Sequence, residues 1–188
     1  IVDWDVHHGN GTMHSFEDSD QVLFISTHQY PYYPGTGRRD DVGKGRGRGF
    51  SVNIPLPGGQ GDDDFVAIFQ RVVVPVVRLF SPKLILVSAG FDIARGDPLG
   101  GMDVTPKGFG ALTRILMALA AECCPGRLAF ILEGGYNLGA LAGGVAAVLA
   151  TLAAGNAAPP GSAEPGPEAA AVIGAVLREH APYWRLPS

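Results

Sequence analysis

The chain has 188 residues, 46% of them hydrophobic, enough to build one domain around a sizeable core. Lys and Arg number 14 against 18 Asp and Glu, a formal charge of -4 with no basic run, which removes the electrostatic footprint of a protein that grips nucleic acid through its backbone. Glycine (27) and proline (15) together exceed a fifth of the chain, against a usual share of roughly 12%, which excludes a long helical bundle or coiled coil. No apolar run reaches the roughly 18 residues that span a bilayer, so no membrane partner is expected.

In chain order, short β-rich runs bounded by Gly, Pro or His alternate with helical patterns. The reading is an α/β fold with a parallel sheet and helices on both faces. Strands are predicted at Ile1–Asp5, Val22–Thr27, Phe50–Ile54, Leu84–Ser88 and Leu128–Leu132, their near-continuous hydrophobicity suiting strands covered on both sides. A helix from Asp62 to Phe80 opens on three carboxylates that complement its N-terminus, and Pro75 should kink it. A second runs from Thr105, a capping residue followed by Pro106, to Glu122, and a third from Leu138 to Ala154. The expected organisation is a main unit over 1–155, a Pro/Gly/Ala-rich linker over 156–167 and a C-terminal helix and tail over 168–188. Cys123 and Cys124 are adjacent, which suits neither an ordinary disulfide framework nor a CxxC knuckle and points to a reducing, cytoplasmic setting. The chain opens inside an apolar run and its first methionine is Met13, so an upstream portion is expected.

The chemistry falls where strands end, the place where ligands collect in an open parallel sheet. Asp3, Asp5, His7 and His8 close the first strand. Alternate residues of a strand point the same way, so Asp3, Asp5 and His7 are expected to converge like metal ligands. The glycines of His8-Gly9-Asn10-Gly11-Thr12 allow close approach and a sharp turn. Ser88-Ala89-Gly90-Phe91-Asp92 ends on a lone carboxylate. Asp92 taken alone is equally a helix N-cap, but as a third ligand it completes an Asp, His, Asp set with an open position, the pattern of a catalytic rather than a structural zinc. At Glu133-Gly134-Gly135-Tyr136-Asn137 two glycines permit a bend that swings a phenol toward a pocket, either as a wall or as a donor to a developing oxyanion.

These segments carry a resemblance. DWDVHHGNGT at Asp3–Thr12, STHQYPYYPGTG at Ser26–Gly37, SAGFD with DPLGGM at Ser88–Met102 and LEGGYN at Leu132–Asn137 resemble the histone deacetylase family, specifically its class II and bacterial amidohydrolase branch, in order over Ile1 to about Gly155. The resemblance implies an arginase/deacetylase-like sheet. It implies Asp5, His7 and Asp92 as zinc ligands and Tyr136 as the hydrogen-bond donor of the transition state. It further implies a structural potassium ion at Asp3, Asp5, His7, Ser26 and Thr27, a second near Phe16, Ser19, Val22 and Phe50, and a substrate tunnel at Tyr33, Leu99 and Gly134. Leu99 offers no charge to a second ammonium of a polyamine. The implied substrate is an acetylated lysine in a peptide or protein, or a similar acylated amine.

One family feature is absent from the sequence. The tandem histidine pair that handles protons on water and leaving amine has no counterpart, for the only adjacent pair, His7-His8, lies inside the metal motif. The expectation is therefore an impaired zinc amidohydrolase lacking its N-terminal part, prone to associate as a homo-oligomer through an open sheet edge at its first strand. Two other readings stand beside it. An arginase-type ureohydrolase needs a second metal and another carboxylate two residues from Asp92, where Gly90 and Ala94 stand. A non-enzymatic metal-binding or interaction module keeps the ligands without turnover.

Overall fold

The computed structural model describes residues 1–155 and 157–186; residues 156, 187 and 188, which fall in the predicted linker and tail, lie outside the described residues. Five parallel strands form one sheet: β1 (Val2–Asp3), β2 (Phe24–Gln29), β3 (Ser51–Leu56), β4 (Ile85–Ala89) and β5 (Leu128–Leu132), in the spatial order β3-β2-β1-β4-β5. The predicted parallel α/β sheet is thus the one observed. The chain walks outward from β1 to β2 and β3, then crosses back to place β4 on the other side of β1. The strand order reverses between β1 and β4, and such a switch point opens a crevice beyond the carboxyl ends of the two strands.

β1 is shorter than the predicted Ile1–Asp5. The Asp3 carboxylate accepts the backbone N–H of Asp5 at 3.0 Å and the Asp5 carboxylate accepts that of His7 at 2.8 Å. These bonds give the Asp5 and His7 N–H groups local partners, while Trp4 N–H still donates to the Ser88 carbonyl at 3.1 Å and Val6 C=O still accepts from Gln29 at 2.9 Å, so the chain bends away from the regular ladder but stays between its two neighbours. β1 is also central, paired with β2 and β4. The expected open edge at the first strand is therefore corrected: among the described residues the edges are β3 and β5.

The helices follow the prediction with one addition and one refinement. α1 (Asn10–Phe16) occupies the glycine-containing stretch read as a turn. Its seven residues would not hold a helix alone, and burial of Met13 supplies the packing. The predicted helix over 62–80 is built as α2 (Asp62–Ile68), a wide π-helical turn (Phe69–Val73) and α3 (Val74–Phe80). Pro75 cannot donate to the Arg71 carbonyl and its ring would crowd that group, and the widened turn accommodates this just before the proline. α4 (Pro106–Cys123) is capped by Thr105, and α5 (Leu138–Ala154) by Asn137, whose side chain accepts from Gly139 and Ala140. α6 (Pro167–His180) packs against β3 and α2, burying Ile173 and Val176 in the common core.

At the centre stands Trp4, fully buried, its ring 5.7 to 6.4 Å from those of Phe130, Phe109 and Phe69. The residue between two candidate ligands is thus the anchor of the core. A second buried group, His180, is fully enclosed with neither ring nitrogen hydrogen-bonded, and burial pushes its pKa down to about 4 from 6.5. A histidine that is neutral in the fold and basic when unfolded gives stability that is complete above about pH 6.5 and is lost as pH falls toward 4. Between pH 7 and 5 the wild type should lose about 2 kcal/mol more stability than a His180→Leu variant. Urea denaturation at the two pH values measures this, and parallel losses in both proteins would contradict it.

Candidate metal centre

The turns after β1 and the turn after β4 meet at the switch point. Asp92 is fully buried, and its Oδ1 accepts the backbone N–H of Val6 at 2.8 Å, tying the two turns together. It is not a helix N-cap, since α4 begins only at Pro106 behind Thr105. His7 Nδ1 lies 3.1 Å from Asp5 Oδ1, to which it hydrogen-bonds, and 3.1 Å from Asp92 Oδ2. One ligand atom from each of Asp5, His7 and Asp92 falls within 4.8 Å of the others. The expected convergence is observed, but it comes from carboxylate-capped turns rather than from alternation along a strand.

The electrostatics ask for a cation. Burial, followed by the charge of Asp5, raises the Asp92 pKa to about 7, and the same two causes raise that of Asp3 well above the usual carboxylate range. Asp92 Oδ2 is a buried oxygen that makes no hydrogen bond, since its close neighbour His7 Nδ1 is bonded to Asp5, the kind of group that calls for an ion or another unseen partner. Space is kept for the cluster by small residues: a side chain at Gly90 would run into Asp5, and one at Gly134 would meet the carboxylates of both Asp92 and Asp5. Two carboxylates and an imidazole nitrogen are a donor set that zinc accepts, with a fourth position left over. These residues fit a single catalytic-type metal ion.

The cluster opens into a cavity of about 540 Å³. Tyr32 stacks on the His7 ring at 5.9 Å with 18° between planes, and Tyr33 meets it edge-on at 5.9 Å. Leu99 and Tyr136 also line it. Tyr136 is 51% exposed, carried there by Gly135, whose φ of 148° only glycine adopts without strain. Gly134 stands behind the cavity against the carboxylates. The resemblance names Tyr33 as a tunnel residue, and Tyr32 stands at the same 5.9 Å from the His7 ring, stacked on it where Tyr33 meets it edge-on. The sequence reading gave Glu133 no role, although this residue lines the cavity with its pKa raised by burial. The signal available for both was their position inside the segments already singled out.

Asp3, Ser26 and Thr27 come together by strand register. Asp3 pairs with Ser26 across β1 and β2, and the Thr27 hydroxyl donates to the Asp3 carbonyl at 3.2 Å. Ser26 bonds His28 Nδ1 at 2.9 Å while His28 Nε2 donates to the Gly37 carbonyl at 2.8 Å, which makes the serine the donor. His28 is held neutral by burial, with a pKa pushed down to about 4, and burial also lowers that of His8. His8 reaches the cavity wall with its Nδ1 bonded to Thr36 Oγ1 at 2.8 Å.

Comparison with known proteins gives the family of the chain. A histone deacetylase domain model matches residues 1–152. Histone deacetylase 15 of Arabidopsis thaliana is 49% identical over 83% of this chain and 28% of its own length. Histone deacetylase HDA1 of Saccharomyces cerevisiae is 43% identical over 98% of this chain and 27% of its own, and Histone deacetylase 7 of Homo sapiens 45% identical over 98% and 20%. The solved HDA15 HD domain superposes with a TM-score of 0.89 at 43% identity, covering 98% of this chain and 50% of that one. The histone deacetylase Clr3 gives 0.89 at 41% identity over 98% and 32%. The chain therefore spans less than a third of these curated relatives and half of the HDA15 domain. With a parallel sheet that superposes on theirs and motifs that match in order, the chain belongs to the histone deacetylase family.

Proposed function

We propose that this chain carries the metal centre of a zinc-dependent amidohydrolase that removes acetyl groups from lysine side chains or similar acylated amines. The observation that carries the reading is that Asp5, His7 and Asp92 bring their ligand atoms together at the floor of a cavity whose rim holds Tyr136. Asp5, His7 and Asp92 would hold a zinc ion, which when bound would supply Lewis acidity toward the acyl carbonyl and a water. Burial, followed by the charges of Asp92 and Asp5, raises the Tyr136 pKa in the metal-free chain, and the phenol would donate to the carbonyl oxygen as negative charge develops there. Tyr32, Tyr33 and Leu99 give an uncharged wall for an acyl-lysine stem; Tyr33 and Leu99 are the tunnel residues of this proposal, with Gly134 beside the Asp5 and Asp92 carboxylates keeping the tunnel's inner end open.

A potassium ion beside Asp3, Asp5, His7, Ser26 and Thr27 belongs to the same proposal. Its support is that the buried Asp3 carboxylate has no Lys or Arg partner among the described residues. The proposed organisation keeps 1–155 as the catalytic portion, followed by the 156–167 linker and the 168–188 segment, whose helix α6 packs onto its core. The free thiols of Cys123 and Cys124 support a cytoplasmic setting.

We also propose that proton handling in this chain is weak. Among the described residues the only imidazoles lining the cavity are His7, in the ligand cluster, and His8, bonded to Thr36 with a lowered pKa. General acid–base help is worth about 10²–10⁴-fold, so turnover of the 188-residue chain at least about 10²-fold below that of its longer relatives is expected. Acetate release from an acetyl-lysine peptide, followed while zinc is returned to chelated protein, tests the reading. Slow release that rises to a plateau at one zinc per chain supports it. Metal binding without release favours a non-enzymatic module, and a plateau at two metals favours ureohydrolase-type chemistry.

Association through the sheet is proposed at β5. Ile131 and Leu132 are 51% and 61% exposed on this edge strand, and the neighbouring α5 has no charged residue in its 17 positions. Unpaired apolar edges pair with other chains. Size-exclusion chromatography should show dimers or larger, shifted toward monomer by Leu132→Lys; a monodisperse wild-type monomer would contradict this.

A further inference from the structure

Asp97 belongs to neither the ligand cluster nor the cavity lining, yet its carboxylate is buried, 6% exposed, at the turn that follows Asp92. It accepts three backbone N–H bonds from two loops. Oδ1 takes that of Leu99 at 2.9 Å, and Oδ2 takes those of Tyr136 at 2.7 Å and Asn137 at 3.1 Å. Bonds from backbone N–H groups to an ionised carboxylate are roughly twice as strong as neutral ones. The second donor pair also sits at the start of α5, where the helix dipole favours negative charge.

Further along, the Leu99 loop is tied by the Gly101 N–H, which donates to Gln29 Oε1 at 2.8 Å, but the tips themselves stand in the open. Leu99 is 46% and Tyr136 51% exposed, and the Tyr136 phenol has no hydrogen-bond partner among the described residues. The position of the ring therefore depends on the backbone that Asp97 holds. Supporting ties run beside it: the Asn137 side chain donates to the Gly96 carbonyl at 3.0 Å, and Phe91 N–H donates to the Gly134 carbonyl at 2.6 Å. One carboxylate thus links the segment bearing Asp92, the loop bearing Leu99 and the loop bearing Tyr136.

We infer that Asp97 is a positioning residue that sets the Tyr136 phenol, together with Leu99, at a fixed place relative to the Asp5-His7-Asp92 cluster. The inference rests on the deacetylase reading for what the phenol does there. A misplacement of about 1 Å at a reacting group can cost 10²-fold in rate, so the loss of this clasp should appear in kcat and leave KM little changed.

Amide hydrogen exchange and kinetics on the zinc-loaded chain test this. Asp97→Ala should retain one zinc per chain and the protection of the Val6 amide, which bonds Asp92, while the Leu99, Tyr136 and Asn137 amides exchange at least about 10-fold faster. With an acetyl-lysine peptide, kcat should fall about 10- to 100-fold. In a Tyr136→Phe background the same substitution should add less than about twofold, since the two residues act as a unit. Asp97→Asn keeps one acceptor oxygen and should recover part of both signals, and it serves as the test variant if Asp97→Ala folds poorly. Unchanged exchange at Tyr136, or an equal loss of kcat in the Tyr136→Phe background, would overturn the inference. If Tyr136→Phe alone leaves kcat intact, the deacetylase role of the phenol fails instead, and the exchange result still decides whether Asp97 holds the loops.

Discussion

Asp92→Ala should abolish stoichiometric zinc binding by this chain. Asp92 is the one fully buried member of the cluster, and its Oδ2 makes no hydrogen bond, its nearest nitrogen being His7 Nδ1 at 3.1 Å, so it is free to bind an ion. Removing it leaves Asp5 and His7, two donors from one turn, where a tetrahedral site asks for three protein ligands. The pH dependence should reveal the same carboxylate. With its pKa raised to about 7, Asp92 is protonated in much of the metal-free protein at neutral pH, so zinc uptake releases a proton and tightens as pH rises through about 7. The sign for stability follows: a carboxyl whose folded pKa is raised stabilises most below its unfolded value of 3.8 and loses that contribution as pH climbs through 7. The metal-free Asp92→Asn variant should accordingly lose less stability than the wild type between pH 6 and 8. Metal analysis after dialysis reads the first effect, and full retention of one zinc by Asp92→Ala would remove Asp92 from the ligand set.

Tyr136→Phe should lower kcat and kcat/KM together by about 10²–10³, the usual loss for one oxyanion donor. The ring is half exposed and makes no hydrogen bond of its own, so deleting the hydroxyl leaves the fold and the zinc untouched. That makes the variant a clean probe of chemistry. Steady-state kinetics on an acetyl-lysine peptide separate the two roles open to the phenol: a rise in KM alone would make the tyrosine a wall of the cavity and not a donor.

The parallel sheet was legible because its strands are continuous apolar runs between Gly, Pro and His, and the ligands because polar residues in such a sheet gather at strand ends. The register and order of strands were not. Nothing local in Ile1–Asp5 says that this strand is central, since its neighbours are chosen by contacts more than 20 residues away. Its early end at Asp3 depended on two carboxylates preferring their own backbone to the ladder. α1 was missed because Gly9 and Gly11 argue locally for a turn, while the packing of Met13 that decides the matter is tertiary. Tyr32 and Asp97 show the same limit at the site. Each lies in a segment already marked by its motif, but which tyrosine stacks on His7, and which aspartate clasps the Tyr136 loop, follow from how separate turns meet.

The most direct measurement of the central claim is X-ray absorption at the zinc edge on the chain loaded with one equivalent of metal. The account predicts a first shell of nitrogen and oxygen only, at about 2.0–2.2 Å, with a single imidazole contribution. A sulfur scatterer near the roughly 2.3 Å expected for thiolate, drawing in Cys123 or Cys124, or a shell built from two or more imidazoles, would contradict it.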